Sequence, residues 1–160
     1  MTEAIAQAQE ATDELRELVH GILPRVLVHG GLRAGVEALA ERMPVPVEVD
    51  VSVGRLPAAV EATAYFVAAE ALTNVAKHAQ ASSAAVSATI DDDTLRLAVR
   101  DDGIGGARRD GSGLLGLRDR LAVLDGRLSV ESPANGGTLV AAHIPSSAAG
   151  LVAASAARRE

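Results

Sequence analysis

Cysteine is absent from the 160-residue chain, and aromatic side chains nearly so: Tyr65 and Phe66 stand side by side, with no tryptophan. Without cysteine there is no disulfide, thiolate-ligated zinc, iron–sulfur cluster or thiol nucleophile. With two rings, the core has to be aliphatic, and a nucleic-acid surface built on base stacking is excluded. A basic footprint is missing as well, since the formal net charge is −6 where nucleic-acid binders carry a positive stripe. No apolar run approaches the ~18 residues of a membrane span. The first residues, MTEAIAQAQE, lack the basic start and apolar stretch of a secretory signal. The expectation is a cytoplasmic, acidic chain with no nucleic-acid partner and no direct membrane contact. Its 48% hydrophobic content is enough, over this length, for one domain with a sizeable core.

What is present is strong local patterning. Ile5, Ala8, Thr12, Leu15 and Leu18 recur at helical spacing and predict a helix over 2–20, broken by Gly21 and Pro24. Leu32, Val36, Leu39 and Met43 predict a second helix over 31–43. From Val45 to Val53 every odd residue is valine, the period-2 alternation of a strand with one buried face. A long helix is expected over 57–79, opened by Pro57. Strands over 84–90 and 94–100 follow, joined by the acidic turn Asp91–Asp93 as a hairpin. A glycine-rich loop (101–113), a helix over 114–125 with Gly126 as C-cap, and strands over 127–132 and 137–144 complete the pattern. Strands outnumber crossovers, so the fold class is α+β, a mixed sheet with helices packed on one face. Residues 1–43 form a separate helical segment, 44–145 the main domain, and 146–160 an Ala/Ser-rich, linker-like tail.

Two places could carry chemistry. On the long helix, Glu70, Asn74, Lys77 and His78 share one side, while Val60, Ala64, Val67, Ala68, Ala71, Val75 and Ala79 share the other. A carboxylate, an amide and two cations gathered this way make either a solvated face or a metal–phosphate site, because amide oxygen suits Mg²⁺ and lysine meets phosphate. The loop DDGIGGARRDGSG follows a strand and precedes a helix, where glycine lets backbone N–H groups approach an anion. It has neither the G-x-x-x-x-G-K-[ST] spacing of a P-loop nor the position of a Rossmann turn. Ser82–Ser83 and Ser146–Ser147 have no His/Asp partners for a hydrolase triad, and Asp91–Asp93 lack the spacing of a calcium loop.

The combination is more specific than its parts. EALTNVAKHA (70–79), DDGIGG (101–106), GSGLLGLRDRL (111–121) and GGTLV (136–140) resemble the asparagine box, two glycine boxes and closing strand of the GHKL ATPase superfamily. Within it, the chain most resembles the catalytic and ATP-binding domain of NarL/DesK-type sensor histidine kinases, from about Val45 to Pro145. The resemblance implies a Bergerat-type α/β sandwich that binds ATP and Mg²⁺. It implies Asn74 as the metal ligand and Glu70 as the catalytic carboxylate acting on the nucleophile. Lys77 and His78 would lie near the phosphates, with mere exposure the other reading for His78. Asp101 would accept the adenine amino group, and Gly103 and Gly105 would make room for the base. Residues 106–112 would be a short lid, in which Arg108 and Arg109 are either solvated or in contact with phosphate. Gly111, Gly113 and Gly116, with Leu114 at the start of the following helix, would cradle phosphate, and Thr138 would support the adenine side. One departure is Ala69, where relatives commonly have Gln before the box glutamate; it removes an assisting amide.

The resemblance also implies partners. DELRELVHGILPRVL (13–27) is similar to the end of a dimerisation hairpin. None of the four histidines, His20, His29, His78 and His143, is followed by an acidic residue, so the phosphoacceptor is expected on a dimerisation helix outside this chain. The γ-phosphate would pass to that histidine and then to a response regulator. A stand-alone GHKL serine kinase of the anti-sigma-factor type is the alternative, opposed by the N-terminal segment and by Lys77-His78-Ala79. A non-catalytic nucleotide-binding module is opposed by the intact Glu70, Asn74 and Asp101.

Overall fold

The valine alternation produces an edge strand, β1 (Val47–Val51), shorter than the expected 45–53 and preceded by Pro46, which has no N–H for a ladder. In this computed structural model, residues 3–4, 23–108 and 111–147 are described. The helix expected over 2–20 and the tail over 146–160 lie outside them, apart from 3–4 and 146–147. β2 (Ala84–Asp91) and β3 (Thr94–Asp101) form the expected hairpin. Its turn puts Asp92 and Asp93 at φ 45° and 58°, the paired left-handed conformation that suits the strand twist of a tight hairpin. β4 (Arg127–Glu131) and β5 (Thr138–Pro145) complete a five-stranded sheet of order β1-β2-β3-β5-β4. β1 and β2 are parallel and the other pairs antiparallel, the mixed sheet that the element order requires.

Cross-strand register stacks the inner face in rows. Val86, Val99, Val140 and Val130 make one row, and Ala88, Leu97, Ala142 and Leu128 the next. Each fully buried Val or Leu contributes about 1.5–3 kcal/mol, so an all-aliphatic core suffices. The row beyond Val86 is Ala84, Asp101 and Thr138. It breaks the apolar pattern with a carboxylate that is only 7% exposed. The outer face carries exposed polar residues, Glu48, Ser87, Arg96, Arg100, Ser129 and His143, around half-buried Ala85, Ala98 and Ala141.

Three helices cover the inner face: α1 (Arg25–Ala40), α2 (Ala58–Asn74) and α3 (Ser112–Val123). The expected 57–79 helix changes character at its end, where Val75–Ala79 form a π-helical turn that stops at Gln80 in the left-handed conformation, φ 50°. At the end of α3 the left-handed residue is Asp125 (φ 52°), not the expected cap Gly126. Asp tolerates that conformation; Gly126 answers instead to a close approach by Leu121 and the His143 carbonyl.

α1 begins directly after Pro24, six residues before the expected start, and Leu32 and Val36 join the same core as α2 and the sheet. It kinks at Gly31, whose φ of 75° and ψ of −170° are non-helical. The kink frees the carbonyls of Val28 and His29. Arg55 caps both, Nη2 donating at 3.0 Å and Nη1 at 3.4 Å. The same guanidinium donates to both oxygens of Glu61, at 2.9 and 3.2 Å, and Glu61 also accepts the Leu56 N–H at 3.0 Å. Glu61 is 3% exposed. Burial pushes its carboxyl pKa up, but the Arg55 and Leu56 donors and the Arg55 charge outweigh burial and hold it below its usual value. Its stabilising contribution is therefore present above the unfolded pKa and lost as pH falls through the folded one. Glu61→Gln should cost about 1–3 kcal/mol at neutral pH and flatten the acid limb of stability. Denaturation at pH 7 and pH 3 measures both; equal midpoints for variant and parent at pH 7 would remove Glu61 as the clamp.

Candidate functional site

The motif residues converge at one end of the sheet, around the C-terminal half of α2. Glu70 and Asn74 are both half-buried and one turn apart, so they share a helix face. Lys77 and His78 lie in the π turn and are exposed. Ala79 ends that turn, and its carbonyl accepts the Ile104 N–H at 2.8 Å. A Cβ on Gly103 would run into the same Ala79 carbonyl. The last carbonyl of the helix therefore packs directly on the D-x-G-x-G loop, and only glycine permits the approach.

The loop is held on its other side too. Gly137 N–H donates to the Gly103 carbonyl at 3.0 Å, Asn135 N–H to the Ile104 carbonyl at 2.7 Å, and Gly106 N–H to the Ser132 carbonyl at 3.1 Å. Gly105 has φ 64°, and a Cβ there would strike the Pro133 carbonyl. So the space a side chain would take at Gly103 and Gly105 is filled by the protein's own backbone. The segment 103–106 is tied by backbone hydrogen bonds rather than being a loose surface loop.

Asp101 ends β3 directly opposite Thr138 on β5. Its Oδ1 accepts the Gly103 N–H at 2.8 Å; among the described residues its other oxygen makes no hydrogen bond. The neighbouring Asp102 points outward and binds the Ser82 N–H (2.8 Å), the Ser83 N–H (3.0 Å) and the Ser83 hydroxyl (3.0 Å). Those donors, Ser83 N–H first, hold its pKa below the usual value. Asp102 thus pins the segment after the π turn to the root of the glycine loop.

α3 starts at the other wall. Gly111 precedes its first turn, and a Cβ on Gly113 would land on the Glu70 carboxylate. Glu70 therefore reaches the N-terminal turn of α3, whose unpaired N–H groups favour negative charge. Leu114 is buried in the core, so only its backbone faces the site. Gly116 is exposed with open space where a side chain would go. Phe66 is half-buried with the Arg120 guanidinium 4.5 Å above its ring, and it meets Tyr65 edge-on at 5.9 Å; α3 covers the one aromatic on the Glu70 face. Ala69 is half-buried and Arg108 exposed. His29 and His143 are exposed away from the site, on α1 and the outer sheet face, while His20 and Arg109 lie outside the described residues.

Sequence reasoning missed Asp102, Ser132 and Arg120. Strand alternation was the available signal for Asp102, since adjacent residues face opposite ways. As for a metal, no three His, Asp or Glu side chains converge among the described residues. The donors present are the Asn74 amide and the nearby Glu70 carboxylate. That set is hard and sparse, which fits Mg²⁺ completing its shell with phosphate oxygens and water.

The model of the histidine kinase-, DNA gyrase B- and HSP90-like ATPase family matches residues 59–148, more than half of the chain. The sensor histidine kinase MctS of Rhizobium johnstonii is 38% identical over 151 residues, covering 86% of this chain and 32% of MctS. The sensor histidine kinase LiaS of Bacillus subtilis is 30% identical over 146 residues, covering 86% of this chain and 41% of LiaS. The chain thus spans about a third to two fifths of these relatives. Among solved structures, the histidine kinase domain of a blue-light activated kinase from Erythrobacter litoralis matches at TM-score 0.63 and 23% identity, covering 78% of this chain and 64% of that one. That match concerns the fold, and it agrees with the α+β class expected from the strand count. Among the described residues, no helix is long and apolar enough to cross a membrane.

The glycines of α3 separate two causes. Gly116→Ala should raise stability by about 0.5–1 kcal/mol, since the chain leaves room and Ala is the better helix former. Gly113→Ala should gain less, because displacing the Glu70 carboxylate offsets the same helix-propensity gain. Thermal melting of both variants checks this; the reverse order would remove the Glu70–Gly113 contact.

Proposed function

The chain belongs to the family of histidine kinase-, DNA gyrase B- and HSP90-like ATPases, and from that premise we propose that it is the catalytic ATP-binding domain of a two-component sensor kinase. In this reading it binds Mg²⁺·ATP and transfers the γ-phosphoryl group to a histidine on a dimerisation helix, for relay to a response regulator. One observation carries it: Glu70 and Asn74 share one face of α2, Glu70 reaches the first turn of α3, and the buried carboxylate of Asp101 ends strand β3.

The adenine would enter beside the Asp101 row. Asp101 accepts the exocyclic amino group through the oxygen that Gly103 leaves unused, and Thr138 lies opposite. On the sheet, Ala84 stands beside Asp101 and the valine row lies next to it, so that side offers aliphatic contact. The phosphates would run between the π turn, with Lys77 and His78, and the amides from Gly111 to Leu114. Asn74 would hold Mg²⁺, which neutralises charge on the phosphate oxygens. Glu70 takes the proton from the attacking imidazole as the N–P bond forms and ADP leaves. Phosphoryl transfer is mostly positioning and charge neutralisation, so a scaffold with few mobile parts serves it. ATP as substrate, and a chain without cysteine, support a cytoplasmic setting.

Three outcomes are expected. Asn74→Ala should weaken Mg²⁺-dependent ATP binding by roughly tenfold or more, about 1.4 kcal/mol, by calorimetry; unchanged affinity would remove Asn74 as the ligand. Asp101→Asn should lose most of the preference for ATP over GTP, on the order of 10–100-fold for one buried hydrogen bond. Equal competition by GTP in the parent would contradict the Asp101 assignment. Labelled ATP should phosphorylate a histidine-bearing dimerisation-helix fragment and not a serine on an anti-anti-sigma protein. Transfer to serine instead would select the anti-sigma-type kinase.

A further inference from the structure

Ser132 stands in the β4–β5 connection, half-buried between the two halves of the site. Its hydroxyl oxygen accepts the Ala107 N–H at 2.9 Å and lies 2.7 Å from the Thr138 hydroxyl. Its carbonyl accepts the neighbouring Gly106 N–H at 3.1 Å. Two consecutive amides of the glycine loop are thus held by one residue, the first by its backbone and the second by its side chain. Gly103 N–H is held by the Asp101 carboxylate, and Ile104 by backbone groups alone. At Ala107 the loop leaves these backbone ties and heads for α3, and the tie there is a hydroxyl.

We propose that Ser132 is a positioning residue that couples the base side of the nucleotide site, at Thr138, to the root of the segment over the phosphates, at Ala107. The inference rests on the nucleotide-binding reading above. A serine hydroxyl accepts and donates together. In the proposed arrangement Ala107 N–H donates to Ser132 Oγ and Ser132 in turn donates to Thr138 Oγ1, one of the two directions the 2.7 Å hydroxyl pair allows. The Thr138 proton is then left to point toward a ligand beside Asp101. Each bond in such a chain polarises the next. A shift of the loop root at Ala107 therefore changes how well Thr138 donates, and a base that engages Thr138 tightens the root. Only a hydroxyl at position 132 makes this link, since the carbonyl bond to Gly106 survives any substitution.

The test uses the whole 160-residue chain with Ser132→Ala and Ser132→Thr, amide exchange read by NMR, and ADP as the probe in calorimetry. In the nucleotide-free Ser132→Ala protein, the Ala107 amide should exchange at least tenfold faster while Gly106 stays within twofold of the parent. ADP affinity should fall about five- to tenfold in the same variant. Ser132→Thr, which keeps the hydroxyl, should restore both. Unchanged Ala107 exchange, a parallel rise at Gly106, or parental ADP affinity in Ser132→Ala would each overturn the proposal. So would failure of Ser132→Thr to restore them. A parent chain that binds no ADP would sink the nucleotide reading itself, and the coupling with it, whereas a parent that binds isolates any failure to Ser132.

Discussion

The contact between the end of a helix and the backbone of a glycine loop is the constraint on which the rest depends. The Ala79 carbonyl occupies the place of a side chain at Gly103 and takes the Ile104 N–H. It sets the distance between the π turn and the loop, which Asp102 and the β4–β5 connection then hold from either side. A side chain at Gly103 would force the two apart, carrying Asn74, Lys77 and His78 away from Asp101. The glycines of D-x-G-x-G are thus required first by the protein's own close packing. Space for a ligand is a by-product of the same geometry: backbones that touch leave no bulk between Asp101 and the helix.

α2 transmits that position across the molecule. Its first turn carries Glu61, locked by Arg55 to the carbonyls freed at the Gly31 kink. Its last turns carry Glu70 and Asn74. The helix that enters the domain and the residues expected to meet phosphate are therefore fixed to the two ends of one rod. Small residues on its buried face, Ala64, Ala68 and Ala71, let the rod lie close to the sheet. Close packing of this kind has low compliance, so displacement at one end is felt at the other.

Much of this was legible in the sequence because its strands alternate cleanly and its motif residues sit at helical spacing. Every described strand lies within two residues of its expected limits at either end. What escaped was set by tertiary contact. The Gly31 kink and the earlier start of α1 depend on Arg55, over twenty residues away in sequence. The left-handed residue at the end of α3 is Asp125 because Gly126 is consumed by proximity to Leu121 and His143. The π turn has no signature in VAKHA, whose spacing is equally good for an α-helix. Ser132 could not be singled out either, since a lone serine in a connection has no partner until the fold supplies Ala107 and Thr138.

The carboxylates show how burial and donor count separate scaffold from chemistry. Glu61 and Asp102 each hold three donors, and both are shifted toward the ionised form. Such groups are largely committed to the fold, with most of their acceptor capacity taken. Asp101 is buried at the end of an apolar face with one donor, from Gly103. A buried carboxylate this thinly satisfied is costly to keep for stability alone, and the Asp–Asp pair makes the contrast within two residues. Strand alternation sends Asp102 outward to fasten the fold and Asp101 inward to a row that Val or Ala would fill more cheaply. A residue that costs stability at a position where its neighbour provides it is the residue to expect at a ligand.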